Sequence, residues 1–245
     1  AAYGMYSVGT TVPIEVKPLG LMNYMEVNAG SGIVGDVFHA MYLDLIAYSE
    51  GRVKVHHYTY DIDTWEQLSD DNLGEDGLSL CAMETAQDRK TGKIYGVFWD
   101  ESGTNLQWGV IDYTKMKRDF IGWAEHQYVA LGISKEGTLY GISLDGDLYA
   151  ISTTDGKETL IGATGVTVKD EYGKYFQQSG EIDQNTNTFY WASIDKDGKS
   201  VLYNVDLTTG KANKIGDMPI ESQVLALTIP ISTASAEAPA RVENL

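Results

Sequence analysis

Carboxylates in strand-like segments have the clearest capacity for catalysis in this sequence. Glycoside hydrolysis needs two carboxyl groups at a fixed separation, one acting as acid and the other as base or nucleophile. Glu84, Glu181, Asp183 and Glu221 fall in or beside apolar runs that are typical of buried strands. A catalytic hypothesis therefore rests on Glu84, Glu181 and Glu221, while charges that face solvent at strand ends are the simpler interpretation and the one we favour.

Histidine and cysteine give no pattern that predicts a metal ion or a nucleophile. His56 and His57 are adjacent in a strand-like run, so their side chains point to opposite faces and do not ligate one metal together. Cys81 is the single cysteine, and it lies in an apolar run where it reads as a small buried residue. We predict no metal site from these residues.

Two acidic segments resemble calcium-binding loops, because hard cations bind clustered oxygen ligands around a tight turn. They are Asp61-x-Asp63 and Asp195-x-Asp197-Gly198. Both lack the downstream acidic ligand of an EF-hand, and both lie where a hairpin turn is expected in any case. We therefore interpret them as turns.

The common motifs of nucleotide and hydrolase chemistry are absent. The sequence has no Gly-x-Gly-x-x-Gly, no phosphate-binding loop, no Gly-x-Ser-x-Gly and no His-Glu-x-x-His. We predict no cofactor, and we favour a protein that binds without catalysing a reaction.

Exposed aromatic rings offer the best binding hypothesis. An indole ring stacks on the apolar face of a sugar or on apolar groups of a protein. The chain has five tryptophans near strand ends or turns, and most are expected to pack between structural units. We predict Trp99, Trp123 and Trp191 as ligand-binding residues, with a carbohydrate or a protein as the ligand.

Charge and hydropathy restrict the partners. The 245 residues carry 35 acidic against 18 basic side chains, a net charge of −17, which repels phosphate backbones. No run approaches the roughly 18 apolar residues needed to cross a bilayer. We predict no nucleic-acid partner and no membrane insertion of this segment, and we expect a monomer.

A repeated pattern organises the chain: a strand-like run, a polar turn, and a short strand that often ends in Gly. The clearest copies are Leu148 to Gly162, Leu202 to Gly216 and Trp108 to Gly122, with a fourth from His57 to Leu68. The aligned positions Asp61, Asp112, Ser152 and Asp206 are 51, 40 and 54 residues apart. Such periods are typical of propeller blades.

The pattern predicts an all-β propeller over residues 1–230. Apolar residues alternate with a period of two, and helix signals are nearly absent. We expect about five four-stranded blades, or six, because residues 21–56 align poorly. Residues 6–20 match the second half of a unit and 223–229 match a first strand, so we expect the two terminal strands to share one blade and close the ring.

Residues 231–245 differ in composition from the rest. Residues 231–240 are small and polar and read as a linker, and 240–245 look like the entry strand of a fibronectin type III-like domain. The abrupt start at Ala1-Ala2-Tyr3, without Met, suggests a processed N-terminus.

Together, the Leu-Tyr-x-Val/Ile-Asp/Ser-x-Thr units and this tail resemble the propeller modules of exported surface proteins of Bacteroides-type bacteria, which precede fibronectin-like domains. The resemblance implies export to the periplasm or cell surface and an adhesion or binding role. A glycoside hydrolase-like propeller and a structural spacer remain the alternatives.

Overall fold

The computed structural model describes residues 4–21, 26–44, 47, 49–169, 177–195, 197–220 and 223–229. Within these ranges the chain is built from short antiparallel strands, with a 3-10 helix at Gly74–Leu80. Valine, isoleucine and aromatic residues favour the pleated strand conformation, and the connecting turns are polar. Among the described residues, no helix is both long enough and apolar enough to span a bilayer.

Four sheets each contain four strands in meander order. The first is β3 (Glu26–Val34), β4 (Val37–Asp44), β5 (Val55–Asp61) and β6 (Gln67–Asn72). The second is β7 (Ala82–Gln87), β8 (Ile94–Trp99), β9 (Leu106–Asp112) and β10 (Lys117–Ala124). The third is β11 (Tyr128–Ile133), β12 (Leu139–Ser143), β13 (Asp147–Ile151) and β14 (Glu158–Ala163). The fourth is β15 (Ser179–Asp183), β16 (Thr188–Ile194), β17 (Ser200–Val205) and β18 (Ala212–Asp217).

The sheets are the blades of a β-propeller. β7 packs against both β3 and β11, and β11 also packs against β15, so the first strand of each blade lies at the centre of the ring. These first strands are almost wholly buried, whereas the fourth strands are largely exposed. The apolar core lies between neighbouring blades, as where Trp108 of the second blade packs with Tyr128 and Leu131 of the third.

Glycines in the repeated motif make the joints between blades. A Cβ atom at Gly122 would lie 1.9 Å from the carbonyl oxygen of Asp155, in the turn between β13 and β14. One blade further on, a Cβ at Gly162 would lie 2.4 Å from the carbonyl oxygen of Thr209. The motif therefore ends in glycine because the backbone of the next blade occupies the place of a side chain.

The all-β propeller is confirmed, but the predicted blade number is wrong. The described residues form four four-stranded blades, neither five nor six, and a two-stranded sheet of β1 (Gly4–Val8) and β2 (Val16–Leu21). Residues 223–229 form no strand there, since Ala226 adopts a φ of +54°, which is incompatible with extended backbone.

The two terminal segments nevertheless meet. Val224 and Leu227 pack into the same apolar cluster as Val8 and Val16, against the fourth blade. The expected closure by strands sharing one blade is therefore replaced by β1 and β2 with an irregular segment beside them. Residues 231–245, where we predicted a linker and a fibronectin type III-like strand, lie outside the described residues.

Candidate functional site

Two of the three candidate catalytic carboxylates lie at the centre of the ring. Glu84 is on β7 and Glu181 is on β15, and the two side chains are only 4% and 5% exposed. Glu84 accepts a hydrogen bond of 3.0 Å from the Thr85 amide and is hydrogen-bonded to the Ser179 hydroxyl. Oε1 of Glu181 is buried without a hydrogen-bond partner. The third candidate, Glu221, lies outside the described residues.

Burial decides the chemistry of this pair. It raises the pKa of Glu84 and of Glu181 to about 8 each, and the charge of Arg89 only partly offsets this for Glu181. Both carboxyls therefore hold their protons at neutral pH. Glycosidase chemistry needs an open cleft between two carboxyls for substrate and water. Glu84 and Glu181 are buried and do not border such a cleft.

Arg89 connects the centre of the ring to the terminal segment. Its guanidinium donates hydrogen bonds to the carbonyl oxygen of Ile229 at 2.8 Å and to the hydroxyl of Thr228 at 3.2 Å. The amide of Leu227 donates to the hydroxyl of Ser179 at 2.9 Å. Residues 223–229 are thereby held against the first strands of the second and fourth blades.

The three tryptophans predicted to bind a ligand lie in different environments. Trp191 is fully buried within the fourth blade, and its Nε1 donates to Oε1 of Gln178 at 3.0 Å. The prediction for Trp191 is therefore wrong, because a buried ring has no surface to offer a ligand. Trp99 and Trp123, by contrast, are 41% and 59% exposed.

Trp99 and Trp123 border one groove at the end of the second blade. Trp99 is the last residue of β8, and it pairs with Leu106, the first residue of β9, whose other neighbour is Ala124 at the end of β10. The groove has a volume of about 450 Å3, and its lining residues are Trp99, Thr104, Asn105, Leu106, Trp123, Ala124, Glu125 and Gln127.

The β8–β9 loop is held in shape by Asp100. Its Oδ1 accepts hydrogen bonds from the amide of Thr104 at 3.0 Å and from the hydroxyl of Ser102 at 2.8 Å, and its Oδ2 accepts one from Nδ2 of Asn105 at 2.8 Å. These bonds, that from Asn105 first, lower the pKa of Asp100 well below its usual range. Asn105 is thus fixed where it lines the groove.

The two tryptophans are also held by their neighbours. Arg118 stacks over Phe98 at 4.8 Å and donates to the carbonyl oxygen of Trp99 at 3.2 Å. Trp123 makes an edge-to-face contact with Phe120, whose ring is also exposed, at 5.4 Å between centroids. The groove is therefore a preformed aromatic surface with amide and carboxyl groups beside it.

A His–carboxylate cluster adjoins the groove, which sequence reasoning missed. Nδ1 of His126 lies 2.5 Å from Oε2 of Glu158, and Nε2 of His126 lies 3.2 Å from the Tyr149 hydroxyl. Oε1 of Glu158 accepts from Nε1 of Trp108 and from the amide of Glu125, each at 3.0 Å. His126 lies in the connection between β10 and β11, whereas Glu158 begins β14, so their spacing in the sequence carried no signal.

A second histidine cluster in the first blade is buried and was also missed. Nδ1 of His39 lies 2.9 Å from Nε2 of His57, and both rings stack with Tyr113. Burial lowers the pKa of His39 to about 4 and also lowers that of His57, so both rings are neutral at pH 7. Cross-strand pairing places them together, which adjacent positions such as His56 and His57 cannot achieve.

The acidic segments that resembled calcium loops are turns, as predicted. Oδ1 of Asp61 accepts from the amides of Asp63 and Thr64 at 3.0 and 2.8 Å. Oδ1 of Asp195 accepts from the amides of Asp197 and Lys199, both at 2.9 Å. Each carboxylate thus caps its own hairpin.

No model of a known protein family matches the sequence, and no curated protein sequence does. Among solved structures, the chain is similar to a structural genomics protein of unknown function from Bacteroides thetaiotaomicron, with a TM-score of 0.52 and 12% identity over 86% of this chain and 46% of that one. It is also similar to TolB from Acinetobacter baumannii, with a TM-score of 0.50 and 10% identity over 85% of this chain and 48% of that one. The chain spans about half the length of these proteins, and at such identity the likeness reports a shared fold alone.

Proposed function

We propose that this propeller is a binding module that holds a neutral carbohydrate in the Trp99–Trp123 groove without cleaving it. The observation that carries the proposal is that Trp99 and Trp123, both exposed, line the same groove. Clustered apolar groups that remain exposed to water often mark a surface that a ligand or partner covers. Their faces fit the C–H faces of a pyranose ring.

Polar groups in the groove suit sugar hydroxyls. Thr104, Asn105, Glu125 and Gln127 offer donors and acceptors beside the two rings. A volume of about 450 Å3 falls within the range of small-molecule sites. The carboxylate of Glu125 and the net charge of −17 disfavour acidic sugars, so a neutral glycan is the preferred ligand.

The lining residues also favour binding over hydrolysis. Among the residues that the structure describes, Glu125 is the only carboxylate that lines the groove, whereas a glycosidase needs two. Glu84 and Glu181 are buried in the centre of the ring, where their protonation fits a structural role. Location at the periplasm or cell surface, and service in adhesion, remain predictions from the sequence.

The test combines a glycan array with calorimetric titration of the best neutral glycan. We expect Trp123→Ala and Trp99→Ala each to weaken binding by about tenfold or more, the equivalent of about 1.4 kcal/mol of lost stacking. Leu160→Ala is the matched control, because Leu160 is an exposed apolar residue of β14 that does not line the groove. It should leave the affinity unchanged.

Three results would overturn the proposal. Glycan affinity that is unchanged in both tryptophan variants would exclude the groove as the binding site. If a protein binds in the groove and no glycan does, the ligand is a protein and not a carbohydrate. Release of reducing sugar by the wild type, but not by Glu181→Gln, would restore the glycosidase hypothesis.

A further inference from the structure

We propose that Glu125, His126 and Glu158 form a site for a divalent transition-metal ion of the zinc class at the boundary of the second and third blades. One ligand atom from each residue lies within 4.8 Å of the other two. The inference does not depend on what occupies the groove. It concerns a cluster formed by the β10–β11 connection and the start of β14, which the sequence did not indicate.

The donor set selects the class of metal. One imidazole nitrogen and two carboxylate oxygens suit Zn2+, which binds three protein ligands and keeps an open position for water in many sites. Calcium instead needs six or more oxygen ligands, which this cluster does not offer. The exposed Glu125 faces solvent and gives an ion a route of entry, while the Glu158 side chain is 2% exposed.

Surrounding hydrogen bonds hold the ligands in place. Trp108 and the Glu125 amide both donate to Oε1 of Glu158, which leaves Oε2 directed toward His126. The Tyr149 hydroxyl contacts Nε2 of His126, so Nδ1 is the nitrogen that faces the carboxylate. Such outer contacts orient histidine and carboxylate ligands in metal sites.

A buried hydroxyl at the edge of the cluster is an independent sign of a further ligand. The hydroxyl of Tyr128 is buried beside the Glu158 carboxylate, with which it interacts only outside ordinary hydrogen-bond geometry. Buried polar groups in folded proteins are nearly always satisfied, and a water carried by a metal ion would satisfy this one. Among the described residues, neither Glu125 nor Glu158 forms an ion pair with lysine or arginine, and the basic group beside Glu158 is the His126 imidazole.

The competing account is a hydrogen-bonded latch between blades that binds no ion. The chain contains a matched control for this account. His56 and Asp70 of the first blade form a pair of the same kind, with Nδ1 of His56 at 2.5 Å from Oδ1 of Asp70. Within the described ranges, this pair lacks a third ligand.

The experiment is a calorimetric titration of chelator-treated protein with Zn2+ alone, and with Ca2+ alone. We expect one Zn2+ per chain with micromolar or tighter affinity and at least tenfold weaker Ca2+ binding. Glu158→Gln and His126→Ala should weaken Zn2+ binding by about a hundredfold. Glu125→Gln, which changes an exposed side chain and leaves the blade boundary intact, should weaken it about tenfold.

Asp70→Asn should bind Zn2+ as the wild type does, and circular dichroism should show that each variant is folded. The proposal is overturned if the wild type takes up no stoichiometric Zn2+. It is equally overturned if Glu125→Gln and His126→Ala bind as tightly as the wild type, or if Asp70→Asn loses binding to the same extent. Ca2+ binding tighter than Zn2+ binding would overturn the assignment of the metal class.

Discussion

The centre of the ring and the end of the second blade both combine carboxyl groups with neighbouring polar groups, yet they differ in what solvent can reach. At the centre, Glu84 and Glu181 are enclosed by first strands and by residues 223–229, and their pKa values rise. In the β8–β9 loop, Asp100 is partly exposed, and hydrogen bonds lower its pKa. Position in the blade, more than residue type, decides which carboxyl group is ionised.

The same comparison applies to tryptophan. Trp191 lies in the second strand of the fourth blade, with neighbours on both faces, whereas Trp99 and Trp123 lie where the second blade ends. A buried indole contributes to folding, and an exposed one is available for binding. The three predictions below test the difference between buried and exposed positions, two of them with tryptophans and one with carboxyl groups.

The largest effect is expected for Trp191→Ala. Loss of a fully buried indole leaves a cavity and an unsatisfied Gln178, and should lower the free energy of unfolding by about 3–5 kcal/mol. Urea denaturation followed by circular dichroism measures it. A loss below about 1 kcal/mol would show that the centre of this blade is not tightly packed.

The second prediction concerns pH. Glu84 and Glu181 have folded-state pKa values of about 8 against an ordinary 4.5, so the folded state binds more protons than the unfolded state between these values. The free energy of unfolding should therefore fall as pH rises, by up to about 1.4 kcal/mol per pH unit for each carboxyl. His39 and His57, whose pKa values are lowered, act in the opposite direction below their ordinary 6.5.

The two carboxyls dominate the slope from about pH 7 to 8, because unfolded-state histidines with an ordinary pKa of 6.5 are mostly neutral there. Denaturant unfolding across this window should show a negative slope in the wild type and a smaller one in Glu84→Gln or Glu181→Gln. A slope that both variants leave unchanged would mean that the centre is ionised and solvated, as the glycosidase alternative requires.

The smallest effect is expected at the groove. Trp99→Ala and Trp123→Ala should change the free energy of unfolding by less than about 0.5–1 kcal/mol, because much of each ring already contacts solvent. The measurement is the same urea titration as for Trp191→Ala. Losses similar to that of Trp191→Ala would make these rings structural and would weaken the proposed binding role.

The sequence predicted the class of fold because its signals are local. Period-two alternation and turn glycines such as Gly146, with a φ of +82°, each report on a few neighbouring residues. The number of blades depends on distant pairing. Residues 223–229 look like a first strand, but the turn at Ala226 prevents it from joining a sheet.

For the candidate site, residue types were predictable and surroundings were not. Trp99, Trp123 and Trp191 all stand in strand-like runs, and nothing local distinguishes the buried ring from the exposed ones. His126 and Glu158 are 32 residues apart in the chain and meet where the β10–β11 connection passes the start of β14. Contacts between blades leave no periodic trace in a single sequence.

The glycine joints between blades bear on how such a ring can arise and diverge. The third blade carries both halves of the joint, since its β13–β14 turn receives Gly122 and its own Gly162 enters the next turn. A duplicated copy of this blade would carry both the turn that receives a glycine and the glycine that enters the next turn, so it could pack against its neighbours without a new kind of contact. Side chains elsewhere on the fourth strands are not constrained by this joint, so surfaces such as the groove can change in sequence while the ring persists.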